Sequence, residues 1–478
     1  MNAEAIRVLD SFVLERMQTS RMPGLAVSVI ERGKDNYQRA YGFRDLETRQ
    51  PVTSRTIFGL GSITKVFTTV AIMQLRDRGI LKLDDRIDGY LDMDLKPHGE
   101  PIRVWHLLSH TSGIPALGFS ESKMSAEWFM SGIPIATDED LLAFMDGAAE
   151  WAACEPGKRW FYLNEGYLLL GRLIARLSGQ SYTEYIEQNI LAPLEMERTH
   201  FSRTRLERVE DAATPYMRRR DGDLFVGAYL YGDMPAAGGL ASCAEDMARF
   251  AEVLLNEGRL ANGGRILSAD SLRQMQSPRI SLPQVPAEIG YHVFAEPEVA
   301  GDQPETAPAY QGYFGCGLQI YRNFYGYDLM AHGGGIMGGT TYLAYIPECG
   351  LGIVLLCNAH GYPLGQLAMV SLAHLLGKNP QELPFLQIDS ALERLVGSYE
   401  SFRSTIQAEV MREGDLLRFT ICYHHEDRSS ILIPLYLGED HARFETVLGG
   451  RRMEVAFYQH EGGTDVLFER YKFRKRRL

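Results

Sequence analysis

The stretch FGLGSITK, residues 58 to 65, is followed by a long run of residues with apolar side chains at helical spacing, from Val66 to Leu81. This context predicts a helix with Ser62 in its first turn and Lys65 one turn further along the same face. Unpaired N–H groups at a helix start favour an oxyanion beside Ser62, and burial would lower the pKa of Lys65 toward neutrality. The pair can therefore supply a nucleophile and its base. The alternative is an ordinary N-cap serine with an exposed lysine.

The S-x-x-K pattern is a signature of serine acyl-transfer enzymes, but it is short enough to arise by chance in a chain of 478 residues. A second copy occurs at Ser120-Glu121-Ser122-Lys123. That copy lies in a polar stretch with no apolar helix behind it, which predicts a solvated loop. Ser62 is therefore the candidate nucleophile.

Composition indicates an ordinary globular protein, with 45% hydrophobic and 23% charged residues. The formal net charge of −12 argues against a nucleic-acid partner. The six cysteines form no C-x-x-C pair, and the N-terminus lacks the pattern of a secretory signal, so we expect reduced thiols and a cytoplasmic location. No apolar stretch reaches the roughly 18 residues that span a bilayer, so no membrane partner is expected. No cofactor or metal is predicted either, since H-E-x-x-H is absent from the sequence.

The order of predicted elements indicates an α+β fold. Residues 1–60 and 312–377 are rich in strand patterns and are expected to build one antiparallel sheet, while residues from about 84 to 311 are mostly helical. Within that part, residues 283–310 are proline-rich and irregular. Together, residues 1–377 form the predicted first domain. A linker is expected over 378–387, and short alternating strands predict a small antiparallel β-barrel over 388–478.

Two further motifs could complete a site around Ser62. Tyr162 and Asn164 offer a phenol and an amide on alternate positions of an extended stretch. A phenol near Lys65 could take part in proton transfer with it. The run His332-Gly333-Gly334-Gly335 follows a predicted strand, and its missing side chains let a substrate lie against the backbone. The Gly335 N–H can then aim at an oxyanion. Both patterns recur elsewhere in the chain, so simple packing roles are the alternative.

The order and spacing of these motifs resemble the serine β-lactamase and penicillin-binding-protein superfamily, in particular its class-C-like esterases, D-aminopeptidases and peptidases. Further similar stretches are Met22-Pro23-Gly24, Leu107-Leu108-Ser109-His110-Thr111-Ser112-Gly113 and Gly238-Gly239-Leu240. The resemblance covers about residues 1 to 377 and implies a β-lactamase-like sheet flanked by helices. Residues 395–400 are similar to the opening of a lipocalin-like domain appended to some members, including archaeal peptidases that form closed oligomers. A homo-oligomer is thus one expected partner.

The resemblance also implies roles for the residues that match its three motifs. Ser62 would be the nucleophile, Lys65 and Tyr162 the general base and acid, and Asn164 would position the acyl group. The N–H groups of Ser62 and Gly335 would form the oxyanion hole. Penicillin-recognising members usually carry Lys-Thr-Gly at the third motif, whereas this chain has His-Gly-Gly. We expect His332 to meet the polar end of the substrate and to make binding pH-sensitive between about 5 and 8.

The leading hypothesis is a serine acyl hydrolase that cleaves an amide or ester bond of a small molecule or peptide through an acyl-enzyme. Peptidase or aminopeptidase, carboxylesterase, and acyltransferase or thioesterase activities share these motifs and stay open. A β-lactamase or DD-carboxypeptidase is the runner-up, and a non-catalytic sensor on the same fold is the alternative outside enzymes. The C-terminal domain is expected to control access and assembly.

Overall fold

The computed structural model describes residues 3–119, 138–201, 206, 209–219, 222–227, 234–282, 311–422, 427–448 and 450–476. The predicted loop at residues 120–123 and the irregular segment 283–310 lie outside these ranges. The described chain forms two compact units, one from residues 3–282 with 311–378 and the other from residues 379–476.

The first unit contains ten of the helices described and a large antiparallel sheet. Its helices are α1 (Ala3–Ser20), α2 (Thr64–Asp77), α3 (Val104–Leu108), α4 (Asp138–Met145), α5 (Asn164–Ser178), α6 (Tyr182–Ile186), α7 (Pro235–Gly238), α8 (Ala244–Leu255), α9 (Ala269–Met275) and α10 (Leu364–Leu375). Its strands are β1 (Gly24–Glu31), β2 (Tyr37–Asp45), β3 (Gln50–Pro51), β4 (Phe58–Gly59), β5 (Tyr216–Arg218), β6 (Leu224–Val226), β7 (Ala241–Ser242), β8 (Ile280–Ser281), β9 (Gln311–Phe314), β10 (Gln319–Phe324), β11 (Tyr327–Ile336), β12 (Gly339–Ile346) and β13 (Leu351–Cys357).

The sheet joins the two ends of the first unit. Nine strands follow the order β3-β2-β1-β13-β12-β11-β10-β9-β8, and Leu25 of β1 lies opposite Cys357 of β13. Nearly every residue of β1 and β13 is buried, so other elements cover both faces of the sheet, which explains the continuous apolar runs. The predicted α+β fold, with a sheet built from both ends of the unit, is confirmed.

Helix α2 lies at the centre of this unit. Residues 64–75 are all buried, because the helix contacts α5, α7 and α9, and Phe67 stacks on Phe250 with a centroid distance of 3.9 Å. A helix surrounded in this way has no solvated face for a lysine in its first turns. Among the described helices, none is both long and apolar enough to cross a bilayer.

The second unit is a helix followed by a closed antiparallel barrel. The helix is α11 (Pro384–Leu395), and the strands are β14 (Gly397–Glu400), β15 (Gln407–Glu413), β16 (Leu416–Cys422), β17 (Asp427–Leu437), β18 (His441–Leu448), β19 (Arg451–His460), β20 (Gly463–Phe468) and β21 (Tyr471–Lys475). Neighbouring strands pair in chain order, and β14 pairs with β21 to close the barrel. The predicted barrel is confirmed.

Helix α11 overlaps the end of the predicted linker, residues 378–387, and occupies the interval before the first strand, which the sequence prediction left without a helix. Pro384 stands at the first position of the helix, where its missing N–H has no cost. Phe385, Leu392 and Leu395 are buried at helical spacing, and Leu392 and Leu395 join the core of the barrel. An amphipathic helix therefore precedes the first strand.

Candidate active site

Ser62 lies in a 3-10 turn, Gly61–Ile63, that leads directly into α2. Gly61 has a positive φ of 54°, and a Cβ at this position would lie 3.0 Å from the backbone N and O atoms of Gly335. The turn therefore requires glycine both for its conformation and for close contact with β11. As a result, the half-buried Ser62 lies at the helix start beside the backbone of that strand.

Lys65 is fully buried, with a relative exposure of 0%. Its Nζ lies 3.0 Å from Ser62 Oγ and donates to the backbone oxygen of Ala237 at 2.6 Å. Burial lowers the pKa of Lys65 from 10.5 to about 7, and the negative charge of Glu165 partly opposes this. The alternative of an exposed lysine beside an N-cap serine is wrong. A neutral amine able to accept the Ser62 proton is accessible near neutral pH.

Tyr162 lies on an irregular stretch just before α5. Its ring centroid is 4.9 Å from Lys65 Nζ, and its phenol forms a hydrogen bond with Ser62. Burial raises the pKa of Tyr162 well above its usual value, so the phenol keeps its proton and can donate it. Asn164 is the first residue of α5 and is half-buried. The structure thus brings Ser62, Lys65 and Tyr162 into direct contact, with Asn164 two residues along the chain.

The glycines of β11 lie against the turn that carries Ser62. A Cβ at Gly334 would be 2.0 Å from Leu60 O and 2.2 Å from Thr341 Oγ1, so only glycine fits there. Thr341 Oγ1 also donates to Leu60 O at 2.7 Å, which ties β12 to the same turn. A Cβ on Gly333 would make only ordinary contacts, the nearest at 3.4 Å to Tyr342. Of Gly333 and Gly334, only Gly334 must therefore be a glycine.

The edge of β11 next to Ser62 is open in the described part of the sheet. Residues 332–336 pair with β12 on one side, whereas the pairing of β11 with β10 ends at Ala331. A Cβ at Gly335 would meet only His360 Cε1, at 4.0 Å. An extended substrate could pair along this edge, and the Gly335 N–H could contribute to an oxyanion hole.

His332 is buried, with 3% relative exposure. Its Nδ1 donates to the backbone oxygen of Gly333 at 2.7 Å, and its Nε2 has no hydrogen-bond partner among the described residues. Burial and the nearby charge of Lys65 lower the pKa of His332 to about 3. Burial therefore favours the neutral imidazole from pH 5 to 8, which argues against the expected pH-sensitive binding through His332.

Two features of the site were not assigned from the sequence. The segment around α7 packs on the start of α2, since Ala237 O accepts from Lys65 and Leu240 O accepts from the Leu60 N–H at 2.8 Å. Glu165, buried beside Asn164, is the charged residue that acts on the Lys65 pKa. The Gly238-Gly239-Leu240 stretch, which resembles the family, is the sequence signal nearest the first feature, whereas no sequence pattern distinguished Glu165 from a solvated helix residue. In the described ranges, no cluster of His, Cys, Asp or Glu is arranged to hold a metal ion.

A serine and a buried lysine at the start of a central helix, beside an antiparallel sheet, define the serine hydrolases of the β-lactamase fold. The chain belongs to the family described as Beta-lactamase, which matches residues 9–373. Residues 380–474 match a second family, described as the Pab87 octamerisation domain. The superfamily resemblance drawn from the sequence is therefore confirmed.

Several known proteins are similar to this chain. A penicillin-binding protein of Bacillus subtilis (strain 168) is 32% identical over 194 residues, which are 40% of this chain and 41% of that protein. Protein flp of Staphylococcus aureus (strain MW2) is 28% identical over 52% of this chain and 48% of its own length. The matches thus span about half the length of these curated relatives.

Solved structures extend the similarity to the whole chain. An octameric penicillin-binding protein homologue from Pyrococcus abyssi has a TM-score of 0.86 and 36% identity, covering 98% of this chain and 100% of that one. A D-stereospecific amidohydrolase from a Streptomyces species has a TM-score of 0.62 and 23% identity, covering 78% of this chain and 99% of its own. The second similarity concerns the fold alone.

Proposed function

We propose that this chain is a two-step serine acyl hydrolase that cleaves amide or ester bonds through a covalent intermediate on Ser62. The observation that carries the proposal is the 3.0 Å contact between Lys65 Nζ and Ser62 Oγ, together with the burial that lowers the Lys65 pKa to about 7. A nucleophilic serine needs a base with a pKa near the working pH, and an exposed lysine would not supply one.

In the first step, Lys65 takes the proton of the Ser62 hydroxyl as Oγ attacks the carbonyl carbon of the substrate. The carbonyl oxygen becomes an oxyanion, which the N–H groups of Ser62 and Gly335 would stabilise at the positive end of α2. Tyr162, whose phenol is protonated, gives its proton to the leaving amine or alcohol. The bond to the leaving group breaks, and the acyl group remains on Ser62 Oγ.

In the second step, water attacks the acyl-enzyme and releases the acid. The phenolate left on Tyr162 accepts the proton of the attacking water, while the Lys65 ammonium returns its proton to Ser62 Oγ. Asn164, at the start of α5, would hold the acyl group during both steps. Both protons are thereby restored, and the cycle consumes one water.

Two features favour an extended substrate without a carboxylate next to the scissile bond. The open edge of β11 over residues 332–336 can pair with a peptide-like chain. His332 is neutral and buried, so the third motif does not provide the fixed cation that would bind a substrate carboxylate. A peptidase, aminopeptidase or carboxylesterase is therefore favoured over a β-lactamase or DD-carboxypeptidase. Acyl transfer to an acceptor other than water uses the same intermediate.

The proposal is tested by labelling and turnover on the same samples. A fluorophosphonate should form one adduct, located by mass spectrometry on the peptide that contains Ser62, and Ser62→Ala should abolish it. A screen of p-nitrophenyl esters, L- and D-aminoacyl anilides and a chromogenic cephalosporin should give turnover that Ser62→Ala lacks. An adduct on Ser120 would show that the second S-x-x-K copy, and not the one at Ser62, carries the nucleophile. A folded parent with neither adduct nor turnover would support the sensor alternative.

We also propose that the second unit holds copies of this chain together. Its match to an octamerisation domain and the similarity to an octameric homologue support this. On the outer wall of the barrel, Ile433 and Leu435 of β17 are 49% and 44% exposed, and Val447 of the neighbouring β18 is 59% exposed. Exposed apolar side chains on two neighbouring strands are expected where a partner covers them.

Light scattering after size exclusion tests this second proposal. The parent should elute as a homo-oligomer, and Ile433→Glu should lower its mass because the new carboxylate would be buried at the interface. Leu467→Glu, which adds the same charge on β20, is the matched control and should leave the mass unchanged. A monomeric parent, or an Ile433→Glu variant of unchanged mass, would contradict the assignment of this surface.

A further inference from the structure

His110 occupies an unusual position at the end of the short helix α3. It is buried, with 1% relative exposure, and its backbone has a positive φ of 57°, a conformation that residues other than glycine rarely adopt. Such a conformation persists only where surrounding contacts stabilise it. The contacts in this case are made with the stretch that carries Tyr162.

Two hydrogen bonds join His110 to the residues on either side of Tyr162. The N–H of Phe161 donates to the backbone oxygen of His110 at 2.8 Å, and the N–H of Leu163 donates to His110 Nδ1 at 3.0 Å. Residues 160–163 belong to no helix or strand. Because no sheet pairing fixes this stretch, its position depends on these bonds.

The side chains of the two residues are also in contact. The His110 ring lies 4.2 Å from the Tyr162 ring, centroid to centroid, with an angle of 32° between their planes. Because Nδ1 accepts from a backbone N–H, the neutral imidazole must carry its proton on Nε2. A neutral ring of fixed tautomer therefore packs on the phenol ring that contacts Ser62.

We propose that His110 is a positioning residue for Tyr162: it holds both neighbours of the tyrosine and one face of its ring, so that the phenol stays in reach of Ser62. This inference rests on the proposed hydrolase function. His110 itself exchanges no proton with the substrate. Its effect on the rate passes through Tyr162, and it should act on kcat with little change in KM, since small misplacements of a catalytic group cost rate more than binding.

His106 provides a matched control four residues earlier. It is also buried, at 6% exposure, and its Nδ1 also accepts a backbone N–H, that of Arg103, at 2.9 Å. That bond caps α3 and does not involve the Tyr162 stretch. We expect His110→Ala to lower kcat about 10²-fold, the scale of a lost general acid or base, and His106→Ala to change it less than about threefold while both variants lose similar thermal stability.

Two further variants separate positioning from a general loss of structure. His110→Asn keeps an acceptor near the Nδ1 position and tolerates a positive φ, so it should recover most of the rate. In a Tyr162→Phe background, His110→Ala should lower kcat less than about threefold, because the effects of substitutions at two residues that act through one another do not add. If His110→Ala does not fold, His110→Phe replaces it in this double-mutant cycle with Tyr162→Phe. The phenylalanine keeps a ring but lacks the nitrogen that accepts from the Leu163 N–H.

Hydrogen exchange gives a readout that does not require activity. The Leu163 amide should exchange faster in His110→Ala and at the parent rate in His110→Asn and His106→Ala. An equal loss of rate in the parent and Tyr162→Phe backgrounds, or no rescue by His110→Asn, would overturn the inference. A parent that neither labels nor turns over would contradict the proposed function, and unchanged Leu163 exchange would then independently overturn the positioning by His110.

Discussion

Each of the two units buries a charged side chain, and the two are handled in opposite ways. In the first unit, the groups that Lys65 is seen to contact are neutral: the Ser62 hydroxyl, the Ala237 carbonyl and the faces of two tyrosine rings. In the barrel, the buried carboxylate of Asp465 accepts from Arg474 at 2.7 Å and pairs with Lys472 and His460 at 2.7 and 3.0 Å.

The consequences for the two pKa values follow from these surroundings. Desolvation dominates at Lys65 and lowers its pKa to about 7, so the charge is easily lost. Hydrogen bonds from cationic groups dominate at Asp465 and hold its pKa well below its usual value, so the charge is kept. A buried charge without a counter-ion in direct contact is suited to proton transfer, whereas one that counter-ions contact directly is suited to fixing a structure.

The largest effect expected from this comparison is on catalysis in the first unit. Ser62→Ala and Lys65→Ala should each lower kcat roughly 10⁴-fold or more, because nucleophile and base act as one unit. The double variant should be no slower than either single one. Turnover by purified samples, with fluorophosphonate labelling as the second assay, checks this. A Lys65→Ala variant that retains a tenth of the parent rate would show that the buried lysine is not the essential base, and would contradict the role that the comparison gives it.

The effect expected at Asp465 is on stability alone. Asp465→Asn should lower the free energy of unfolding of the barrel by about 1–3 kcal/mol, since hydrogen bonds to a charged, largely buried group are lost. The native pKa lies below the unfolded one, so this stabilisation is present above about pH 3.9 and is lost as the pH falls below that value. Parent and variant should therefore converge in acid.

Denaturation of both samples at pH 7 and at pH 3 measures this difference. Glu454→Gln is the matched control, because its partner Arg443 and Glu454 itself are each about half exposed, and such surface pairs contribute roughly 0–1 kcal/mol. Hydrolase activity should be unchanged in both variants. A stability difference that grows on acidification would have the wrong sign for a carboxylate with a lowered pKa.

The spacing of side chains made the Ser62–Lys65 pair and the barrel predictable. The run after Ser62 has apolar side chains at helical spacing, which predicts a helix with Lys65 one turn after Ser62, and alternating residues with frequent turns predict the strands. The burial of His332 was not predictable, because it depends on the packing around β11 and not on its glycine-rich neighbours. Helix α11 was missed because a short amphipathic segment next to a proline-containing turn is typical of a linker as well.

The electrostatic role of Glu165 was also beyond the sequence, since only the fold brings this carboxylate near Lys65. Glu165 is buried and accepts from the Phe119 N–H at 3.0 Å. Its negative charge favours the protonated lysine and so holds the Lys65 pKa higher than burial alone would set it. The Glu165 carboxylate thus reduces the loss of charge at Lys65 and makes this lysine somewhat more like a paired charge such as Asp465.

The smallest expected effect is therefore a shift in pH dependence with Glu165→Gln, which keeps an oxygen to accept from Phe119. In the parent, kcat/KM should rise as Lys65 loses its proton, with half of the maximum near pH 7. Removing the negative charge lowers the Lys65 pKa further, so the rising limb should move to lower pH. Asp246→Asn is the control, because Asp246 is also buried but is not among the groups that shift the Lys65 pKa. If the rising limb of the kcat/KM profile moves to higher pH, or if Asp246→Asn moves it as far as Glu165→Gln does, the Glu165 charge does not act on the Lys65 pKa. Burial alone would then be the cause of the lowered pKa.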